Sequence, residues 1–203
     1  RMELGGAKKH LINAGRFFFG KEAKENELAK HDKIVAIGEI GLDYHYEETD
    51  KALQHKWFAG QMDIARELKL PIAIHSRDAA QDTIQIMRAS HAEEIGGVIH
   101  CYSYSKESAR DFLNMGFYFG IGGVVTFKNA KKLKEAVAYI PLSNIVLETD
   151  APYLTPEPFR GKRNDSSKLT YVAQAIADIK HIPVDEVYAE TWKNAHQMYK
   201  IQK

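Results

Sequence analysis

One cysteine, Cys101, stands in 203 residues, so an internal disulfide framework is excluded and the sequence suits a reducing cytosol. No run is long or apolar enough to span a membrane, and the start of the chain lacks a signal-peptide layout. An excess of one charge is missing too. Lys and Arg number 28 against 27 Asp and Glu, which argues against a surface that coats a polyanion but leaves room for a local basic patch. Low-complexity segments and linkers are absent, and 203 residues at 44% hydrophobic content suffice for one sizeable core, so a single domain over 1–203 is expected. The chain opens on Arg1 rather than Met, from which we expect that something was removed from its start or that a cloning boundary was kept.

What is present is a set of short, β-branched apolar runs that each end in a metal-binding residue type. The run from Val35 closes on Glu39, Pro71-Ile72-Ala73-Ile74 on His75, Gly97-Val98-Ile99 on His100, and Ile145-Val146-Leu147 leads through Glu148-Thr149 to Asp150. A buried carboxylate costs several kcal/mol, roughly, unless a cation or a set of donors compensates it, so Glu39 directs attention to a cation and its other ligands. Non-alternating apolar runs are how strands covered on both faces read. Amphipathic patterns lie between them, which gives repeated strand-helix units and an α/β fold with a parallel sheet. Parallel strands place their C-terminal ends on one face, where an α/β barrel carries its chemistry.

Taken singly, these residues have ordinary readings: a turn cap or a lysine partner for Glu39, satisfied core histidines for His75 and His100, a helix N-cap for Asp150. Taken together they share one address, and two histidines with two carboxylates suit a divalent transition metal. His10, His31, His45, His55, His91, His181 and His196 have no such address and read as surface residues. Cys101 reads as a small buried residue rather than a nucleophile, because adjacent strand residues point to opposite faces.

In chain order, residues 1–33 allow at most one strand and one helix, with Phe17-Phe18-Phe19 as a short apolar run and 21–30 helix-favouring. The first clear strand ends at Glu39 and a loop runs on to Asp50. A helix to about Leu68 presents Leu53, Trp57, Gln61, Ile64 and Leu68. The next helix, about Ala79 to Ser90, presents Ala80, Ile84 and Met87. Ser105 caps a helix carrying Ala109, Phe112 and Leu113. A strand Phe117–Ile121 ends in Gly122-Gly123, where backbone can approach a ligand closely. Asn129 caps a helix through Leu133, Ala136 and Val137. Helices over about Ser167–Lys180 and Val184–Ile201 finish the chain. Five strands, with room for one more in 1–33, fall short of the eight of a closed barrel.

Basic residues accompany the proposed metal face. Arg77 follows His75 and suits a phosphate, with a salt bridge at the helix start as the alternative. Arg160, Lys162 and Arg163 cluster after Asp150 and read as phosphate-backbone contacts, with Lys128 able to join them; a solvated charge run is the alternative.

The segments Gly38-Glu39-Ile40-Gly41-Leu42-Asp43-Tyr44, Ile74-His75-Ser76-Arg77, Ile99-His100-Cys101-Tyr102, Leu147 to Pro156 and Phe159 to Asn164 resemble, in order, the signatures of the TatD family of metal-dependent deoxyribonucleases. The resemblance implies a TIM-type (β/α)8 barrel and a two-metal hydrolytic site in which Glu39 bridges two ions, His75 and His100 hold one, and Asp150 holds the other and orients the attacking water. It also implies Mg, Mn or Zn as cofactor and single-stranded DNA as substrate, cut from the 3' end. The His-x-His pair that such proteins carry on their first strand is missing from this sequence. The expectation is therefore a truncated or rearranged member, incomplete at its N-terminus, with one well-held metal. Two other functions stand beside nuclease action: hydrolysis of another ester or amide, and an inactive remnant that binds or assembles through exposed strand edges.

Overall fold

The structure is a computed structural model and describes residues 3–4, 7–8, 10–12, 31, 33–45 and 50–201, with side chains from residue 31 onward. The apolar run at Phe17–Phe19 and the helix-favouring stretch 21–30 lie outside the described residues. Where at most one strand is expected before residue 33, three short ones occur: β1 (Glu3–Leu4) antiparallel to β2 (Ala7–Lys8), then β3 (His10–Ile12). The remaining strands are β4 (Ile34–Asp43), β5 (Ile72–Arg77), β6 (Gly97–Ile99), β7 (Tyr118–Ile121) and β8 (Ile145–Leu147). The α-helices of the described residues are α1 (Lys51–Leu68), α2 (Ala80–Ala89), α3 (Lys106–Asn114), α4 (Lys131–Tyr139), α5 (Leu169–Lys180) and α6 (Val184–Met198). The alternation of strand and helix read from the sequence is the one observed. The chain divides into two compact units, Arg1–Val98 with Met198–Lys203, and Ile99–Gln197.

In the first unit β3, β4 and β5 run parallel and β6 follows beside β5. The strand from Ile34 does not stop at Glu39 but continues to Asp43, and β5 continues past His75 to Arg77. Pairing explains both extensions, since Gly41, Leu42 and Asp43 oppose His75, Ser76 and Arg77. Between Ile37, opposite Ile72, and Ile40, opposite Ile74, the register shifts, so that Gly38 and Glu39 together face Ala73. The Gly38–Glu39 peptide within this bulge is cis. An extra residue reverses the inward-outward alternation of a strand. Ile37, Ile40 and Leu42 thereby share one buried face, while counting back by twos from Asp43 and Gly41 puts Glu39 on the face of His75.

Helix α1 starts where Asp50 accepts the Leu53 N–H at 3.0 Å, a side-chain cap worth about 1 kcal/mol. It buries Phe58, Gln61, Met62 and Ala65. The expected stripe of Leu53, Trp57, Ile64 and Leu68 is half-buried beside it, because the sequence carries two adjacent apolar stripes and the neighbouring one faces the core. Helix α2 buries Thr83, Ile84 and Met87, close to expectation.

In the second unit β7 and β8 are parallel, with Phe119, Gly120 and Ile121 opposite Ile145, Val146 and Leu147. Its centre is an aromatic set: Tyr102 meets Phe119 edge-on at 5.0 Å, and Phe112 of α3 meets both. Each fully buried ring contributes roughly 1.5–3 kcal/mol through burial, and edge-to-face pairing adds about 0.5–1.5 kcal/mol. Helix α5 covers this unit with Val172, Ala173, Ile176 and Ala177. The buried Asn194 of α6 donates to the carbonyls of Leu142 and Ile145, both at 2.8 Å. Two caps differ from expectation. Ala130 rather than Asn129 starts α4, and Ser105 stands at the N-cap of α3 without a side-chain bond to the helix backbone.

Candidate active site

In the first unit the site residues lie at the C-terminal end of β4 and β5. Gln54 of α1 grips the backbone of Asp43 on both sides, accepting its N–H at 2.8 Å and donating to its carbonyl at 2.9 Å. The Asp43 carboxylate is thereby held toward β5, with Oδ2 at 3.2 Å from His75 Nε2. Its other oxygen accepts the His45 N–H at 3.0 Å. Beside this pair, the Tyr44 hydroxyl donates to Asp82 at 2.7 Å and lies 2.5 Å from His55 Nε2. Burial, then the hydrogen bond to Asp82 and the charge of that carboxylate, push the Tyr44 phenol above its usual range. The phenol therefore keeps its proton and donates it to Asp82, which leaves its oxygen to accept from His55.

In the second unit His100 follows the last residue of β6, and its two ring nitrogens face two carboxylates. Nδ1 stands 2.9 Å from Glu148 Oε2, and Nε2 stands 3.6 Å from Asp150 Oδ1. The other Glu148 oxygen accepts the Cys101 N–H at 2.5 Å. Glu148 reaches this position over Gly120, where a Cβ would come within 2.0 Å of Oε2. A carboxylate that receives Nδ1–H fixes the imidazole tautomer and leaves the Nε2 lone pair for a cation.

Asp150 adopts a left-handed backbone, φ +52, uncommon for a residue with a side chain and tolerated best by Asn and Asp. The buried Asn164 holds that turn. Its Nδ2 donates to the carbonyls of Thr149 at 2.7 Å and Tyr153 at 2.8 Å, its N–H donates to Pro152 at 3.0 Å, and its Oδ1 accepts the Asp165 N–H at 3.0 Å. Farther along, the buried Thr155 hydroxyl donates to the Lys162 carbonyl. The loop leans on Gly123, where a Cβ would meet the Leu154 carbonyl at 2.0 Å. Arg160 sits over the Phe127 ring at 4.3 Å, while Lys128, Lys162 and Arg163 are exposed.

A profile of the family described as TatD related DNase matches residues 18–200. The chain belongs to the TatD family. Among its TatD relatives, the uncharacterized metal-dependent hydrolase YabD of Bacillus subtilis strain 168 is 48% identical over 175 residues, which cover 86% of this chain and 69% of that protein. The uncharacterized metal-dependent hydrolase YcfH of Escherichia coli K12 is 40% identical, over 86% of this chain and 66% of that protein. The crystal structure of YjjV, a TatD homologue from Escherichia coli K12, superposes with a TM-score of 0.82 at 27% identity, over 88% of this chain and 68% of that one. The chain thus spans about two thirds of the length of these relatives, and its fold is the TIM-type α/β architecture of TatD proteins.

Against the TatD signatures, the structure pairs His75 with Asp43 and His100 with Asp150. Glu39 lies half-buried in the β4 bulge, and Arg77 is exposed at the end of β5 with no ion pair among the described residues. The described residues gather no group of three or more His, Cys, Asp or Glu that could hold a metal ion; the donors occur as pairs. Their chemistry nonetheless fits a divalent cation. Two ligand atoms bonded to one tetrahedral ion at about 2.1 Å stand roughly 3.4 Å apart, close to the 3.2 Å and 3.6 Å separations of the two pairs.

Three sequence expectations give way here. Gly123 is approached by the chain's own loop rather than standing open to a ligand. Cys101 is not a buried strand residue but sits half-exposed in a turn at φ +48, its N–H aimed at Glu148. His55 is not a plain surface histidine, since its ring is half-buried and meets Tyr44, while His45 is exposed as expected and meets Asp78 at 3.3 Å. The residues missed are Asp43, Glu148 and Asn164. Asp43 follows Glu39 at the even spacing that puts side chains on one strand face, a signal present in the sequence. Glu148 gives no local signal, because its role depends on a glycine in another strand.

Proposed function

We propose that this chain is a metal-dependent hydrolase that cleaves phosphodiester bonds of DNA, acting from the 3' end of single strands in a reducing cytosol. The observation that carries the reading is His100, held by Glu148 at Nδ1 and presenting Nε2 to Asp150. His75 with Asp43 and Glu39, and His100 with Asp150, are the residues that would hold Mg, Mn or Zn, one or two ions per chain. Such an ion supplies a Lewis acid and a bound water of lowered pKa.

The chain's own groups do the rest. Asp150, on its clamped turn, orients the attacking water and accepts its proton, and the Asn164 bonds keep that carboxylate in place through the reaction. Glu148 keeps the His100 ring from rotating and its tautomer from switching. Arg160, Lys162 and Arg163, with Lys128, bind the phosphates of the strand and counter the charge that builds on the phosphoryl oxygens, and Arg77 offers a phosphate contact of its own beside His75. Arg160 keeps its guanidinium edge available while its face rests on Phe127.

The test is manganese- or magnesium-dependent release of nucleotides from single-stranded DNA by the purified chain, with Glu39→Ala and His100→Ala as controls. Activity that both substitutions abolish supports the reading. A folded protein that releases nothing, yet hydrolyses a small ester or amide with the same metals, would replace DNA with another substrate.

A further inference from the structure

Tyr153 is 71% exposed, three residues beyond Asp150, yet its backbone is fixed. Its N–H donates to the Asp150 carbonyl at 2.9 Å, and its own carbonyl accepts from the buried Asn164 at 2.8 Å. An exposed aromatic is ordinary by itself, and the chain has others. Trp192, however, meets His196 at 4.3 Å and Tyr171 meets Phe159 at 5.1 Å, while Tyr139 and Tyr188 belong to helices α4 and α6. Tyr153 packs against no other ring among the described residues. It belongs to the same loop as Arg160, Lys162 and Arg163, and Leu154 beside it is also exposed.

We propose that Tyr153 is a stacking platform for a nucleobase of the single-stranded chain whose phosphate lies at Asp150. This rests on the nuclease reading and adds to it that a base, and not only the phosphate backbone, is recognised. The physical basis is twofold. Every base offers a π-face, so stacking on a tyrosine is tolerant of sequence. A ring whose backbone is already hydrogen-bonded on both sides loses less freedom on binding than one carried by a loose loop. Cations on the same loop attract the backbone, and the ring then takes the adjoining base, the combination by which single strands are commonly held.

The experiment measures binding of the full chain by fluorescence anisotropy, with a chelator present so that no strand is cut. The ligands are a short single-stranded DNA and an abasic phosphodiester chain of equal length; the proteins are wild type, Tyr153→Ala and Tyr153→Phe. The proposal expects Tyr153→Ala to bind the base-bearing strand about tenfold more weakly, Tyr153→Phe to match wild type, and all three to bind the abasic chain alike. Equal binding of the DNA by Tyr153→Ala and wild type, or an equal loss on the abasic chain, overturns the stacking role. If wild type binds and cleaves DNA while that overturning result is obtained, the nuclease reading survives without it. If folded wild type neither binds nor cleaves DNA, both fall.

Discussion

The Glu148 carboxylate lies directly over Gly120, so close that a Cβ there would stand 2.0 Å from Oε2 and 2.6 Å from Cδ. No side chain other than hydrogen leaves Glu148 its place beside His100. Gly120→Ala therefore displaces the carboxylate that orients the imidazole, without touching either residue. Groups that orient ligands in this way are worth about 10- to 100-fold in metal affinity or activity. We expect that loss in metal-dependent hydrolysis and in calorimetric metal titration, with circular dichroism showing a folded chain. Unchanged metal affinity in a folded Gly120→Ala protein would separate Glu148 from the function of His100.

Asn164→Ala removes two donors and an acceptor from a site that is 2% exposed. The carbonyls of Thr149 and Tyr153 and the N–H of Asp165 are left without this partner, at a cost of roughly 2–3 kcal/mol. For a chain of this size the midpoint should fall by about 5–10 °C in scanning calorimetry. Asn164→Asp keeps the acceptor and removes both donors, so it should recover only part of the difference. An Asn164→Ala midpoint equal to that of the wild type would mean that the turn at Asp150 is held by other bonds.

Neutralising the basic loop separates a nuclease from a hydrolase of small neutral substrates. Changing Lys162 and Arg163 to Gln should raise KM for single-stranded DNA and leave turnover of a small uncharged ester unchanged. The slope of log affinity against log salt should also become shallower by about 0.7 for each phosphate that is no longer neutralised. Equal reductions on both substrates would point to damage in the loop instead.

Asp165 accepts from Lys168 at 2.5 Å and from the Ser167 N–H at 3.0 Å and its hydroxyl. The hydrogen bond from Lys168 first, then those from Ser167, lower its carboxyl to about 2 from the ordinary 3.8. A carboxyl that is more acidic when folded stabilises the fold at pH above the unfolded value, and that contribution disappears as the pH falls through the folded one. The difference in midpoint between wild type and Asp165→Asn should be constant from neutral pH to about 4, then shrink toward pH 2. The site is open to solvent, so the difference will be small, and a gap that widens on acidification would contradict the sign.

Much of this is legible in the sequence because a strand covered on both faces is a short apolar run whatever its neighbours. His100 and Asp150, placed just after such runs, are found that way. The limits lie where a role depends on a partner far along the chain. Nothing around Glu39 announces the bulge opposite Ala73, since register belongs to the pair of strands; a run taken alone therefore ends four residues early and leaves Asp43 in a loop. Glu148 yields to Asp150 two positions later, because only the bare strand at Gly120 makes room for it. In α1, adjacent apolar stripes through Trp57 and Phe58 leave the phase of the helix to be decided by β4.

The Thr155–Lys162 and Asn164–Tyr153 bonds close the loop near its base like a drawstring. Between them the tip is tied instead by Phe159 against Tyr171 and Arg160 over Phe127, so charge there can change while the carboxylate at Asp150 stays where it is. Grip on the strand and the placing of the reacting carboxylate are thus mechanically separable in a single stretch of chain. Diversification of this protein, natural or engineered, can retune that grip at the loop's tip while the root keeps Asp150 in place.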